Sequence, residues 1–478
     1  MSTASQGSQG LTHGPAMSFE IVEHGHAARG SGVPLELEEN IKLSYDRLQN
    51  YCVTQLSGVD VDLLVLLGAV AFADRAVPRH RATVWGRQIT LSVPVHEVEK
   101  WRDPEVEERL HDLLSYATGD TWSISFRRRR RSDDRALQLS LELKAQAATS
   151  KPLVIPFSGG IDSWAALRGA LQTGREIWLV ATATNTSIRS LVERVRGSAS
   201  NQVRCLLLPV EFHKLPRGAE PTFRSRTMLF FGQAALAAKL GGASSVVVGE
   251  NGQGALGSAL ITSGLDHPFV SLHPGLTTRL AKLLHLLWGH RLQFDHPHLF
   301  ETKAEMMERS ASLGAGGLSA TFSCSYNTTR HQQLQKRVHC GICGNCLLRR
   351  QASFNAPLAA AVLPKDDYLW QDLRAKSLAG STALRRKSGE PVATRASDIE
   401  LAETAVLEHQ RLAEIASSPD SVLVRRYVAD LALSLDKGRD ETRAALLRLL
   451  EAHAVEWMRF TSSLGKRSWI NDCIRRAA

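Results

Sequence analysis

Two short stretches hold residue types at spacings that can do chemistry. In Phe157-Ser-Gly-Gly-Ile-Asp-Ser163, the adjacent Gly159 and Gly160 let the backbone bend sharply and come close to a ligand. The amides of Gly160 and Ile161 can then converge on an anion such as a pyrophosphate. Ser158 and Ser163 add hydroxyl donors. Asp162 can either cap the helix that would start here or hold the magnesium that accompanies ATP. The pattern has neither the lysine of a Walker A loop nor the spacing of the dinucleotide-binding GxGxxG. The second stretch is Cys324, Cys340, Cys343 and Cys346, four of the seven cysteines. Four thiolates satisfy a tetrahedral Zn2+, and Gly341 and Gly344 suit the tight turns of a CxxCxxC knuckle. An iron–sulfur cluster is the chemical alternative, and His331 or His339 could replace Cys324 as a ligand.

Both stretches need elements to hold them. The phosphate-loop candidate lies between an apolar run at 153–157 and an amphipathic run at 161–171, which reads as strand, turn, helix. Strand-like and helix-like runs keep alternating: 176–183 then 188–198, 203–210 then 222–240, and a further strand at 245–249. That order predicts an α/β fold, a parallel sheet with helices on both faces, over 149–360. Upstream, 59–73 is apolar throughout and predicts a buried helix. The alternating runs 88–95, 121–126 and 136–143 predict half-buried strands, giving an α+β domain over 37–148. Residues 1–36, rich in Gly, Ser and His, read as a flexible N-terminus. Residues 376–396 read as a linker or long loop, and 401–417, 421–435 and 441–460 as helices of a C-terminal region over 361–478, a small bundle or a docking lid.

The loop at 158–163 matches the SGGxDS loop of the PP-loop ATP pyrophosphatases. Together with the cysteines it resembles the QueC family, the 7-cyano-7-deazaguanine synthases of queuosine biosynthesis. FRSRTMLFF at 223–231 is similar to that family's helix carrying an arginine, here Arg226, and 246–250 (VVVGE) is similar to its next strand. FETKAE at 300–305 resembles its TKAE segment, and SCSYN at 323–327 with HCGICGNCLLRR at 339–350 resembles its zinc region. The resemblance covers about 150–356. It implies a Rossmann-like PP-loop fold with ATP, Mg2+ and Zn2+ as cofactors, the segment Phe157 to Ser163 on the ATP phosphates, and the four cysteines on zinc. It further implies that Asp162, Arg226 and Lys303 form the catalytic set: Arg226 would neutralise a phosphate or a substrate carboxylate, and Lys303 would supply positive charge. Glu250 would hold the guanine-like face of a 7-deazaguanine substrate. The additions at both ends, and Asn-Gly-Gln-Gly-Ala-Leu-Gly-Ser after Glu250, are more similar to the enlarged QueC-like proteins of bacterial anti-phage operons, the QatC type. For those the acceptor could be ammonia or the amine of a partner protein encoded in the same operon.

At 478 residues the chain is long enough for two to three domains. No apolar run reaches the length of a membrane span, so membrane is not expected as a partner and the cytoplasm is the expected location. The net charge of +10 suits phosphate-rich ligands and leaves nucleic acid open as a partner. Five arginines at 127–131 read either as an RNA contact at a hairpin tip or as a solvated turn guarding an edge strand. His285, His290, His296 and His298 read as scattered histidines rather than a second metal site. The alternatives to a QueC-like ligase are an ordinary 7-cyano-7-deazaguanine synthase, a tRNA-modifying PP-loop enzyme, and a non-catalytic nucleotide-binding module.

Overall fold

The computed structural model describes residues 16–43, 56–79, 85–130, 151–181, 193, 201–261, 266–314, 317–326, 334, 338–362, 368–382, 389–390 and 392–477. The first sheet is built from β1 (Ala16–Val22), β2 (Val33–Glu36), β4 (Gln88–Val95) and β5 (Thr121–Arg128), in the order β2-β1-β4-β5. A short strand, β3 (Ile41–Leu43), lies outside it. Helices α1 (Gly58–Ala76) and α2 (Pro104–Thr118) accompany these strands. Two expectations are corrected here. The stretch taken as flexible contains β1 and β2, because Phe19, Ile21 and Leu35 are buried in the core; a run so short shows no period against its Gly- and Ser-rich flanks. The sheet is also parallel at every pairing, so this unit is α/β rather than α+β. The strand expected at 136–143 lies outside the described residues.

The second sheet has the order β11-β10-β6-β7-β8, again with parallel pairings. Its strands are β6 (Leu153–Pro156), β7 (Ile177–Ala181), β8 (Val203–Leu207), β10 (Ser245–Val247) and β11 (Gln293–Asp295). Side chains alternate between two cores. Leu153, Ile155 and Leu179 face helix α3 (Ile161–Leu171), whereas Val154, Trp178 and Val180 face helices α4 (Arg226–Leu240) and α5 (Pro274–Trp288). The chain builds β6, β7 and β8 in one direction, then returns to place β10 on the other side of β6. That reversal puts the topological switch point between β6 and β10, and open α/β sheets bind ligands at the carboxyl ends of such strands. The helix expected at 188–198 lies outside the described residues apart from 193.

The two units share one core. Strand β9 (Val210–Phe212) pairs antiparallel with β3, and α1 packs antiparallel on α4. Three contacts recur at seven-residue spacing on both helices: Asp60 pairs with Lys239 at 2.5 Å, Leu67 lies against Gly232, and Asp74 accepts from Ser225 N and Oγ at 2.8 Å each. At Gly232 a Cβ would fall 2.2 Å from Leu67, so only glycine permits this approach.

Beside that contact a four-membered ion network is closed to solvent. Arg79 and Arg87 both meet Asp120, at 2.7 and 2.6 Å, and Arg87 meets Asp74 at 2.6 Å. Two positive and two negative side chains, each fully buried, balance one another. Removing one leaves a buried charge without compensation, which costs about 3–5 kcal/mol. Asp120→Ala is therefore expected to lose that much in urea unfolding, against less than 1 kcal/mol for the exposed Asp440→Ala.

Downstream lie α6 (Lys303–Ser312), α7 (Gly344–Asn355), α8 (Ala396–Ile415), α9 (Val422–Leu435), α10 (Arg439–Ser463) and α11 (Trp469–Ala477), the last unforeseen in the sequence. The stretch at 376–396, read as a linker or long loop, lies between α7 and α8 and is pinned at Leu378 and Val392, which are buried beside the cysteines, as are Trp370 and Leu373 just before it. Its polar composition hid these few anchors. Among the described residues no helix is long and apolar enough to cross a membrane.

Candidate functional site

Strand β6 hands the chain directly to the loop. Phe157 N still donates to Val180 O at 2.7 Å, Gly159 takes φ +74°, and Gly160 is extended (φ −81°, ψ 168°) before α3 begins at Ile161. A left-handed residue there is cheap only for glycine. The loop is held from within and from behind. Ser158 Oγ accepts from Gly160 N at 3.3 Å, and Ser163 Oγ donates to Gly160 O at 3.0 Å. Phe322 N donates to Gly159 O at 3.0 Å, while Ser323 Oγ accepts from Ile161 N at 3.3 Å. The amides of Gly160 and Ile161 thus carry only long bonds to hydroxyls. An anionic oxygen is a stronger acceptor than either.

Asp162 does not cap α3, whose N-cap Gly160 has no side chain to offer. Its carboxylate instead lies 2.6 Å from Lys303 Nζ and 2.7 Å from Asn251 Nδ2. Lys303 opens α6 behind a capping box made by Thr302 and Glu305, and its backbone N donates to Gln253 Oε1 at 2.7 Å. Glu250 joins the group just past β10. Asn251 Nδ2 lies 3.2 Å from its Oε1, and a Cβ at Gly254 would fall 2.1 Å from the same oxygen. Burial and then the charge of Asp162 push the Glu250 carboxyl up to about 8, with Lys303 pulling the other way. Asp162, Lys303 and Glu250 are therefore brought together at the loop's helix. Asn251 and Gln253 complete the group without having been singled out in the sequence; neither amide has a motif signature of its own.

The raised Glu250 carboxyl has a consequence for stability. Since the folded state holds the proton more tightly than the unfolded state, ionisation works against the fold as pH rises from the ordinary carboxylate range through about 8. Glu250→Gln, which cannot ionise, is expected to melt close to wild type at pH 5 and above it at pH 9. Parallel melting curves at both pH values check this.

The four cysteine sulfurs lie within 4.8 Å of one another, with Cys340 and Cys346 Sγ 3.7 Å apart. Zn–S bonds of ~2.3 Å make a tetrahedron with edges of about 3.8 Å, so the sulfurs fit zinc. Backbone amides turn toward them: Cys340 N and Tyr326 N point at Cys324 Sγ, and Cys343 N at Cys340 Sγ, at 3.3–3.4 Å. Gly341, at φ +91°, makes the turn. His339 is no ligand; it stacks on Phe322 and lies 3.4 Å from Ser323 N. His331 lies outside the described residues. Among the described residues this is the one group of three or more metal-ligating side chains.

No protein-family model and no curated protein matches the chain.

Arg226 does not touch the Asp162 group. It starts α4, with its guanidinium 5.0 Å from the centre of the Phe230 ring. The arginine run is no free tip either. Arg127 pairs with Glu23 at 3.1 Å and lies 3.7 Å from Glu20, and Arg130 N donates to Glu23 Oε1 at 2.6 Å; Arg131 lies outside the described residues. Of the four histidines, His296 bonds Thr277, His298 contacts Glu301 and His290 stacks on Trp288.

Proposed function

We propose that this chain is an ATP-dependent ligase of the QueC-like type, which activates the carboxylate of a 7-deazaguanine as an adenylate. The observation that carries this reading is the glycine turn between β6 and α3, at the sheet's switch point beside Asp162, Lys303 and Glu250. Amides at a helix N-terminus suit the pyrophosphate half of ATP. Asp162 offers the carboxylate oxygens that Mg2+ prefers, and the ion would offset charge on the leaving pyrophosphate, while the protonated Glu250 would meet the guanine-like face of the substrate. Lys303 orients Asp162 by direct pairing at 2.6 Å. In the step itself a substrate carboxylate oxygen attacks the α-phosphorus of ATP, and the bond to pyrophosphate breaks. An amine then attacks the carbonyl carbon, loses a proton, and AMP leaves.

The zinc knuckle would act on this site through the chain, since Phe322 and Ser323, which hold Gly159 and Ile161, immediately precede Cys324. Its role is positional. The units flanking the QueC-like part favour a specialised reaction, such as one on a partner protein's amine in anti-phage defence, over ordinary queuosine synthesis. Incubation with ATP, 7-carboxy-7-deazaguanine and an ammonium salt as amine donor tests the chemistry: AMP and pyrophosphate should appear in equal amounts. Their absence with every 7-deazaguanine acid tried would overturn it. Failure to restore queuosine in a cell lacking QueC would separate the specialised reading from the ordinary one.

A further inference from the structure

The helix contact between the two units ends in a pair of cations with no counter-ion among the described residues. Asp74 and Ser225 bond at one end of the α1–α4 contact, so the next residue on each helix, Arg75 and Arg226, lies at the same junction. Both oxygens of Asp74 are already engaged, Oδ1 by Arg87 and Oδ2 by Ser225. Arg75 lies over the Phe223 ring at 5.2 Å and Arg226 over the Phe230 ring at 5.0 Å. Neither guanidinium has an ion pair among the described residues, and Arg75 Nε is buried without a hydrogen-bond partner. Protein around Arg226 and then the positive charge of Arg75 hold its guanidinium below its usual value, with no carboxylate acting against them. Two like charges held together cost stability unless something negative joins them.

The pair also lies on the ligand-binding side of the sheet. The far end of α4 is anchored at the sheet's amino edge, where Gly241 packs so closely on Trp178 and Pro152 that a Cβ would fall 2.7 and 3.1 Å from them. From there the 15 residues of α4 run back for about 22 Å, past the ends of the short strands, to the edge that carries the glycine turn. Arg226 is exposed and Arg75 half-buried, so a ligand can reach both.

We propose that Arg75 and Arg226 form a two-guanidinium seat for an oxyanion, a carboxylate or phosphate, so that the N-terminal unit completes the binding site of the second. The inference rests on the proposed ligase reading for the identity of the ligand, not for the seat. Planar guanidinium forks recognise such groups bidentately, which an ammonium cannot do. The buried Asp74–Arg87–Asp120 network fixes the helix turn that carries Arg75, and Asp74 fixes Ser225 beside Arg226.

Titration calorimetry with inorganic phosphate and with 7-carboxy-7-deazaguanine tests the seat. Arg75→Met and Arg226→Met should each weaken binding of at least one probe about 10-fold or more, while Arg75→Lys recovers only part of the loss. Melting curves of the variants without ligand should lie at or above wild type, because each substitution relieves the repulsion between the two guanidinium groups and neither side chain belongs to the buried network. Wild-type affinity for both probes in Arg75→Met overturns the seat, whatever the wild-type turnover. Lost phosphate affinity in that variant, with no AMP release from wild type, keeps the seat and overturns the ligase reading. If a variant misfolds, 7-carboxy- and 7-cyano-7-deazaguanine are compared on wild type: equal affinity for the acid and the neutral nitrile overturns a carboxylate seat, and equal phosphate affinity at low and high salt overturns a phosphate one.

Discussion

Asp162→Asn lowers pyrophosphate release by at least about 10²–10³-fold while leaving the chain folded, the loss expected when one preorganised electrostatic partner is removed from a transition state. Asp162 bonds both Lys303 and Asn251, so the amide substitution withdraws a negative charge from the place where ATP and its magnesium would sit. The fold survives because Glu250 is at hand: with Asp162 neutral, the repulsion that helps keep the Glu250 carboxyl protonated disappears, and Glu250 can ionise opposite Lys303. Pyrophosphate release with ATP and 7-carboxy-7-deazaguanine, read beside a melting curve, separates the two effects. Turnover within a few-fold of wild type would remove Asp162 from the chemistry. A collapsed melting curve would instead make it a structural residue.

Removing the metal is expected to have the larger effect on stability. One zinc per chain should be found by elemental analysis, and Cys343→Ser or a strong chelator should lower the melting temperature by roughly 10 °C or more. Cys340, Cys343 and Cys346 share a buried cluster with Trp370, Leu373, Trp457 and Trp469, so the cysteine turn is part of the core that seats α8, α10 and α11. Four thiols without a cation would leave that core with a polar centre. An iron–sulfur cluster would reveal itself by visible absorption and by iron in place of zinc. A chain free of either metal, with an unchanged melting point after chelation, contradicts the assignment.

What the sequence made legible was local. The glycine turn, its flanking strand and helix, and the CxxCxxC knuckle each lie within a few residues, and their chemistry follows from side-chain type and spacing. The strands and helices of the second sheet were legible because buried parallel strands are apolar throughout, as in Ile177–Ala181. What was hidden depends on residues far apart in the chain. Strand β1 is defined by pairing with β4, more than 60 residues later. The α1–α4 contact needs Gly232 opposite Leu67, and no helical pattern marks a glycine as an interface residue. Asn251 and Gln253 acquire their roles only when Asp162 and Lys303 arrive from 89 and 50 residues away. At 376–396 the composition marked a linker or long loop but not its anchoring: Leu378 and Val392, buried among polar residues, pin the segment to the core around the cysteines.

The C-terminal helices are wired into the loop's neighbourhood. His453 on α10 meets Gln253 at 2.7 Å, Gln253 takes the backbone N–H of Lys303, and Thr302 donates its hydroxyl to Glu456 on the same helix. Shortening the chain at Gly438 would therefore do more than discard an appendage. It would bare Leu256, Leu260 and Leu299 to water and release the start of the helix that aims Lys303. The half of the molecule with the glycine turn cannot be harvested as an independent fragment.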